Sequence, residues 1–289
     1  MKIAITGCGT LEKGKLISET EFFSIYPELL PYQGNIQLLG EAPTPQTTES
    51  SEILKKSSKI LYTKHFLMIQ NGCDNHCSFC LTVKKRGPHR SRPLDDIITE
   101  IQQIEAQGGK EIVLTGINLA ARGCSNTKKP TETQFPELLE AILRKTTIPR
   151  IRISSIGPEY ANDHFFEVVK DERILPHFHY SIQSFSDNVL QKMRRGYSAQ
   201  QLKTILKKTR ELHKNHLISI GADIIVGFPG ESETDFLETL EGIKTYNITK
   251  LHAFPFSNHH KGETIPASLY PDQVPQEIKK EREARLLEV

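Results

Sequence analysis

The chain has 289 residues, enough to bury a sizeable core as one or two domains. Charged residues make up 25% and apolar residues 37%, with a net charge of +2, which excludes a disordered, fibrous or strongly basic protein. No run of eighteen apolar residues occurs, and the N-terminal apolar stretch is too short for a signal-peptide core, so no membrane span and a cytoplasmic location are expected.

In chain order, KIAITG (2–7) reads as a short buried strand ending in a turn, and 41–58, rich in Pro, Ser, Thr and charge, as a linker. From about residue 60 the texture changes. Apolar runs at 65–70 (HFLMIQ), 111–116 (EIVLTG), 150–155 (RIRISS), 177–183 (HFHYSIQ), 218–228 (ISIGADIIVGF) and 250–256 (KLHAFPF) alternate with helical patterns. Leu94, Ile97, Ile98, Ile101 and Ile104 form one helical stripe; Leu202, Ile205, Leu206 and Leu212 form another, with Ser198 placed to cap it. Ser232 followed by Asp235 has the spacing of a capping box. Both stripes read as core packing. Strand–helix alternation implies βα units on a parallel sheet, and six units suit an open or partial barrel. Such folds bind ligands at the C-terminal ends of the strands.

There are five cysteines: Cys8, Cys73, Cys77, Cys80 and Cys124. The odd number, with three packed into CxxxCxxC, argues for metal ligation in a reducing compartment and against a disulfide framework. The motif Gly72-Cys73-Asp74-Asn75-His76-Cys77-Ser78-Phe79-Cys80 follows directly on the first barrel strand, hence on a loop at that strand's C-terminal end. Three thiolates on one short loop can each bind a corner of a cubane cluster and leave the fourth iron open. The competing readings are a zinc site of three cysteines with His76 or His89, structural cysteines, and a redox dithiol. Zinc motifs favour CxxC pairs, a polar loop is a poor place for structural thiols, and a dithiol needs only two.

At this point the sequence resembles a known family. IQNGC (69–73) through Cys80, Arg86-Gly87 and Arg90-Ser91-Arg92 are similar to the methylthiotransferases, a family of radical S-adenosylmethionine (SAM) enzymes. EIVLTGIN (111–118), RIRISSIGPE (150–159), SIQSFSDNVLQKMRRGY (181–197), DIIVGFPGE (223–231) and HAFPFSNHHKGETIPA (252–267) follow in the family's order, so the resemblance covers about residues 60–289. It implies an α/β fold, a partial (βα)6 radical SAM barrel over 59–289, preceded by a short α/β remnant of an N-terminal domain over 1–40. It implies Cys73, Cys77 and Cys80 as ligands of a [4Fe–4S] cluster whose open iron is chelated by SAM. A deoxyadenosyl radical then abstracts a hydrogen, sulfur is inserted from a second cluster, and a second SAM supplies the methyl group. The electron comes from a donor such as flavodoxin or ferredoxin. Gln-Asn-Gly before Cys73 and Leu-Thr-Gly in the second strand look most like the branch that modifies C2 of N6-threonylcarbamoyladenosine-37 in the tRNA anticodon loop. The isopentenyladenosine and ribosomal-protein branches are the alternatives.

The candidate SAM contacts are Phe79, Gly116, Ser154, Gln183, Arg195 and Gly227. Phe79 would serve equally to support its loop, the strand-end residues to satisfy backbone needs, and Arg195 to sit solvated. Three departures from the family stand out. The family carries three more cysteines in an N-terminal domain. Here only Cys8, in Ile5-Thr6-Gly7-Cys8-Gly9, resembles one of them, and a single thiolate cannot hold a cubane. Either the true start lies upstream, or the chain is a fragment, or the second cluster is missing and the chain binds SAM without transferring sulfur. At the other end, the chain stops in a helix where relatives continue into an RNA-holding domain. The loop after the cysteines differs too: 84–92 (KKRGPHRSR) is strongly basic, offering Lys84, Lys85, Arg86, Arg90 and Arg92 to tRNA phosphates, or forming only a solvated basic loop.

Overall fold

The structure is a computed structural model that describes the strand backbones at 3–5 and 36–38 and residues 64–124, 132–212, 218–258 and 264–289. The chain divides into two compact units, Met1–Ile60 and Leu61–Val289. In the first, β1 (Ile3–Ile5) pairs in parallel with β2 (Ile36–Leu38), Ile3 opposite Ile36. The strand expected within 2–7 is thus β1; Cys8 and the segment 41–58 lie outside the described residues.

The second unit is built on six parallel strands. These are β3 (His65–Asn71), β5 (Glu111–Gly116), β6 (Arg150–Ile153), β7 (His177–Gln183), β8 (Ser219–Val226) and β9 (Lys250–Pro255). They follow chain order: β3, β5 and β6 form one ladder and β7, β8 and β9 another. Two isolated parallel bridges, Ile151 to Ile174 and Ile156 to Tyr180, join the ladders beside β6. A two-residue strand, β4 (Arg90–Ser91), runs antiparallel on the outer edge of β3. Sequential pairing with helical crossovers is the partial βα barrel that the alternation of runs implies.

The helices form where the periodicity places them. α2 (Leu94–Ala106) buries Ile97, Ile98, Ile101 and Ile104 on one stripe. α6 (Ala199–Glu211) starts from a capping box in which the Ser198 hydroxyl accepts from the Gln201 N–H and the Gln201 side chain accepts from the Ser198 N–H. α7 (Glu233–Thr245) repeats the device with Ser232 and Asp235. Each cap is worth about 1 kcal/mol. Asp235 does more, because it also accepts from the Ser186 hydroxyl and from Asn188 Nδ2 at 3.0 Å, tying α7 to the start of α5 (Asp187–Lys192). The remaining helices are α1 (Thr82–Arg86), α3 (Phe135–Lys145), α4 (Asp163–Val168) and α8 (Gln276–Leu287). Among the described residues no helix is long and apolar enough to cross a membrane.

Strand alternation gives the sheet two different faces. Leu67, Ile69, Ile112, Leu114, Ile151, Ile153, Phe178, Tyr180, Ile220, Ile224 and Val226 pack under the helices in one buried cluster with Phe135, Phe165, Leu202, Leu206 and Phe236. The alternate positions face inward and are largely polar: Glu111, Arg150, Arg152, His177, His179, Asp223 and His252. Phe66 and Phe254 are interspersed there and left exposed. The inner wall is therefore lined for a ligand rather than filled as a second core.

Candidate functional site

The CxxxCxxC loop leaves β3 through Gly72, whose φ of +74° is a left-handed conformation that favours glycine. An added Cβ would also collide with the Pro88 carbonyl oxygen. Gly72→Ala is therefore expected to cost about 2–4 kcal/mol and to lower cluster incorporation, read as iron per chain after reconstitution and as the midpoint of denaturation. Gln70, buried at the end of β3, braces the exit from inside. Its Nε2 donates to the Asn71 and Gly72 carbonyls at 2.8 and 2.6 Å, and its Oε1 accepts from the Asn118 N–H at 2.8 Å. The same Nε2 lies 2.9 Å from His89 Nδ1. Burial lowers the His89 pKa, and its Nε2 lies 2.9 Å from Ser91 Oγ.

Farther along, Ser78 is fully buried and pins the loop to the opposite side of the barrel mouth. Its hydroxyl donates to the Lys192 carbonyl at 2.7 Å, its N–H to Met193 O at 3.1 Å, and its carbonyl accepts from the Ala267 N–H at 2.9 Å. Phe79 packs against a small cluster containing Val189, Met193, Phe228, Phe256 and Ile265. That position supports the loop.

Each sulfur receives a donor. Cys73 Sγ accepts from the Asn75 N–H at 3.5 Å, with Asn118 Nδ2 at 3.9 Å. Cys77 Sγ accepts from Arg195 Nη1 at 3.4 Å, and Cys80 Sγ from the Thr82 N–H at 3.3 Å. Burial pushes the Cys73 and Cys77 thiols above their ordinary value; at Cys77 the Arg195 charge pulls the other way. This donor set fits an iron–sulfur cluster. It offers three thiols on one loop, N–H groups aimed at sulfur, and one cation to offset the thiolate charge.

Arg195 is buried and heavily used. Besides Cys77 it donates to the Ser181 carbonyl at 3.0 Å and to Tyr197 Oη at 3.2 Å, and lies 3.7 Å from Glu159 Oε2. Glu159 Oε1 accepts from Asn75 Nδ2 at 3.3 Å, and Tyr160 Oη bridges Asn75 and Asn118 at 3.2 Å each. Glu159 Oε2 is buried and accepts no hydrogen bond among the described residues. Its charge is matched by Arg195 at 3.7 Å, which leaves its lone pairs able to accept from a ligand donor. Gln70, Asn118 and Glu159 lie inside the motifs quoted from the sequence and Tyr160 directly after one, and it is their full or partial burial at the barrel mouth that marks them.

The other candidates sort by their contacts. A Cβ on Gly116 would stand 2.9 Å from Gln70 Oε1 and from Leu119 Cβ, so this glycine serves the brace at Gln70. Ser154 closes β6 on β5 through its N–H to Leu114 O at 3.1 Å. Gln183 ends β7, buried, with a φ of +70° that a non-glycine residue adopts at a cost. Gly227 has φ +66°, and an added Cβ would collide with Lys279 of α8. Its N–H donates to Glu231 Oε2 at 2.7 Å. Burial pushes Glu231 up to about 6, opposed by that N–H and by Arg282, which pairs with it at 2.6 Å.

Lys84, Lys85 and Arg86 occupy the last turn of α1 and are exposed, as is Arg90. Arg92 is committed to the fold: it donates to Met68 O at 2.9 Å and pairs with Glu100 at 2.8 Å. Next to the loop lies a pocket of about 240 Å³ lined by His76, Cys77, Cys80, Lys84, Arg194 and Ile265.

Comparison with known proteins agrees with this geometry. Over 222 residues the chain is 36% identical to the threonylcarbamoyladenosine tRNA methylthiotransferase MtaB of Rickettsia prowazekii, covering 76% of this chain and 51% of the relative. The MtaB of Bacillus subtilis is 38% identical, with 78% and 48% covered. The tRNA-2-methylthio-N(6)-dimethylallyladenosine synthase of Xylella fastidiosa is 37% identical, with 75% and 45% covered. The chain thus spans about half the length of the curated relatives it matches. Among solved structures, the radical SAM methyltransferase TsrM from Kitasatospora setae, with cobalamin and a [4Fe–4S] cluster bound, superposes with a TM-score of 0.54 at 16% identity. It covers 66% of this chain and 36% of that one, a likeness of fold. Residues 67–243 match the Radical SAM superfamily, and with a partial barrel carrying three thiols at its mouth, the chain belongs to that superfamily.

Proposed function

We propose that the chain is the radical-generating barrel of a tRNA methylthiotransferase, with Cys73, Cys77 and Cys80 as the three protein ligands of a [4Fe–4S] cluster and SAM as the ligand of its open iron. The observation that carries this reading is the convergence of three hydrogen-bonded thiols with the buried Arg195–Glu159 ion pair, whose Glu159 Oε2 accepts no hydrogen bond among the described residues. When bound, the cluster supplies the electron for reductive cleavage of SAM. The chain's own residues do the rest. Arg195 donates to Cys77 Sγ and draws charge from that sulfur, which eases reduction. Glu159 Oε2 accepts from the ammonium group of a bound SAM. Gln70 and Ser78 tie down the two ends of the loop that carries the sulfurs.

Within this reading the substituted adenosine is the threonylcarbamoyl form. This rests on Gln70-Asn71-Gly72 before Cys73 and Leu114-Thr115-Gly116 at the end of β5, which resemble that branch. The test is nucleoside mass spectrometry of tRNA from a host stripped of its own enzymes and expressing this chain. The 2-methylthio derivative of threonylcarbamoyladenosine is expected. The dimethylallyl product would refute the specificity, and neither product would refute sulfur transfer by these residues.

The exposed end of α1 is the proposed contact for tRNA phosphates. Replacing Lys84 and Arg86 together by alanine is expected to weaken tRNA binding at low salt. The slope of log affinity against log salt should flatten by about 1.4–1.8, the value for two phosphate contacts, in a filter-binding series.

A further inference from the structure

Away from the cysteine loop, three side chains from neighbouring strands meet on the inner barrel wall: His179 on β7, Asp223 on β8 and His252 on β9. Asp223 stands directly opposite His252 in the β8–β9 register, and His179 opposite Gly221, one inward position earlier. His179 Nε2 lies 2.9 Å from Asp223 Oδ1, and His252 Nδ1 lies 3.2 Å from the same oxygen. All three donor atoms fall within 4.8 Å of one another. The two rings are 4.9 Å apart and inclined at 40°, so they converge rather than stack.

Two further features make this a built arrangement. A Cβ at Gly221 would collide with His179 Nδ1, so the bare backbone of β8 is what lets the ring turn its Nε2 toward Asp223. Ser181 Oγ donates to Asp223 Oδ2 at 3.3 Å, holding the oxygen that does not face the histidines. His179 is buried, Asp223 half-buried and His252 exposed, so the open side of the cluster looks into the barrel.

We propose that His179 Nε2, Asp223 Oδ1 and His252 Nδ1 form a 2-His-1-carboxylate site for a divalent transition-metal ion, zinc or ferrous iron, separate from the cysteine loop. An ion held at about 2.1 Å by donors at right angles sets neighbouring donors about 3 Å apart, which matches both edges made by Asp223. His252, exposed on the last strand of its ladder, closes the third edge by rotating its ring. The remaining coordination positions open into the barrel and take water or an oxygen or sulfur donor of the substrate.

The same distances would arise if Asp223 only accepted hydrogen bonds from two histidines, and metal content separates the two cases. The chain carrying Cys73→Ala, Cys77→Ala and Cys80→Ala, which removes the thiolate site, is dialysed against zinc chloride and its metal content measured by mass spectrometry. One zinc per chain is expected. Adding His252→Ala should abolish it, and adding Ser181→Ala should weaken binding by about ten- to a hundredfold. Zinc retained equally with and without His252, or no zinc in the parent variant, overturns the proposal. If the three-cysteine variant does not fold, zinc per chain in the cluster-reconstituted wild type against its His252→Ala variant decides the same question.

Discussion

Replacing Cys77 by alanine is expected to reduce iron–sulfur reconstitution and reductive SAM cleavage to background, read as iron and sulfide per chain and as 5′-deoxyadenosine formed. Two ligands on a loop cannot replace three at a cubane. Cys77 is the most buried of the three sulfurs, and Arg195 is aimed at it. Its loss also leaves the guanidinium facing no sulfur. The fold should survive, because Ser78 still ties the loop to Lys192 and Met193 through its own bonds. Cys124→Ser is the matched control. That thiol is partly buried at the edge of the helix-side core, and its replacement should leave cluster content and SAM cleavage unchanged.

Arg282→Met is the substitution expected to cost most stability, about 3–5 kcal/mol at pH 8 in a urea titration, because it leaves a buried carboxylate without its cation. Glu231 would retain only the Gly227 N–H. The penalty has a defined pH dependence. Burial already raises Glu231 from 4.5 to about 6 in the wild type, so its protonated form is the one the fold favours. Its stabilising contribution is complete below pH 4.5 and is lost as pH rises through 6, about 2 kcal/mol in all. Without Arg282 the carboxyl rises further, so the deficit of the variant should shrink between pH 8 and pH 5. A deficit independent of pH would assign the loss to the Arg282 guanidinium lying over the Phe236 ring instead.

How much of this was legible in the sequence depended on the kind of signal. Apolar runs located all six barrel strands and the 3.6 period located the α2 stripe, because helix-side burial is strict there, while residue type and spacing located the caps at Ser198 and Ser232. The short elements α1 and β4 left no pattern: five and two residues are too few for periodicity. Spacing and position exposed the three cysteines, but side-chain bonding cannot be read that way. Arg92 looks like its neighbours in composition, yet Glu100 and the Met68 carbonyl occupy it. Gly227 looks like a ligand contact, and the Lys279 side chain beside it gives a packing reason for glycine there as well. Conversely Gln70 and Glu159 resemble ordinary surface polars in the sequence, and only their burial at the barrel mouth marks them. The inner-wall histidines hide in the same way, since HFHYSIQ and KLHAFPF read as apolar runs until alternation separates their two faces.

The most direct test of the central claim is anaerobic incubation of the iron- and sulfide-reconstituted chain with SAM and dithionite, followed by quantification of 5′-deoxyadenosine. A cluster with one open iron and formation of 5′-deoxyadenosine and methionine in equal amounts are expected. Intact SAM, with zinc rather than iron bound at Cys73, Cys77 and Cys80, would contradict it.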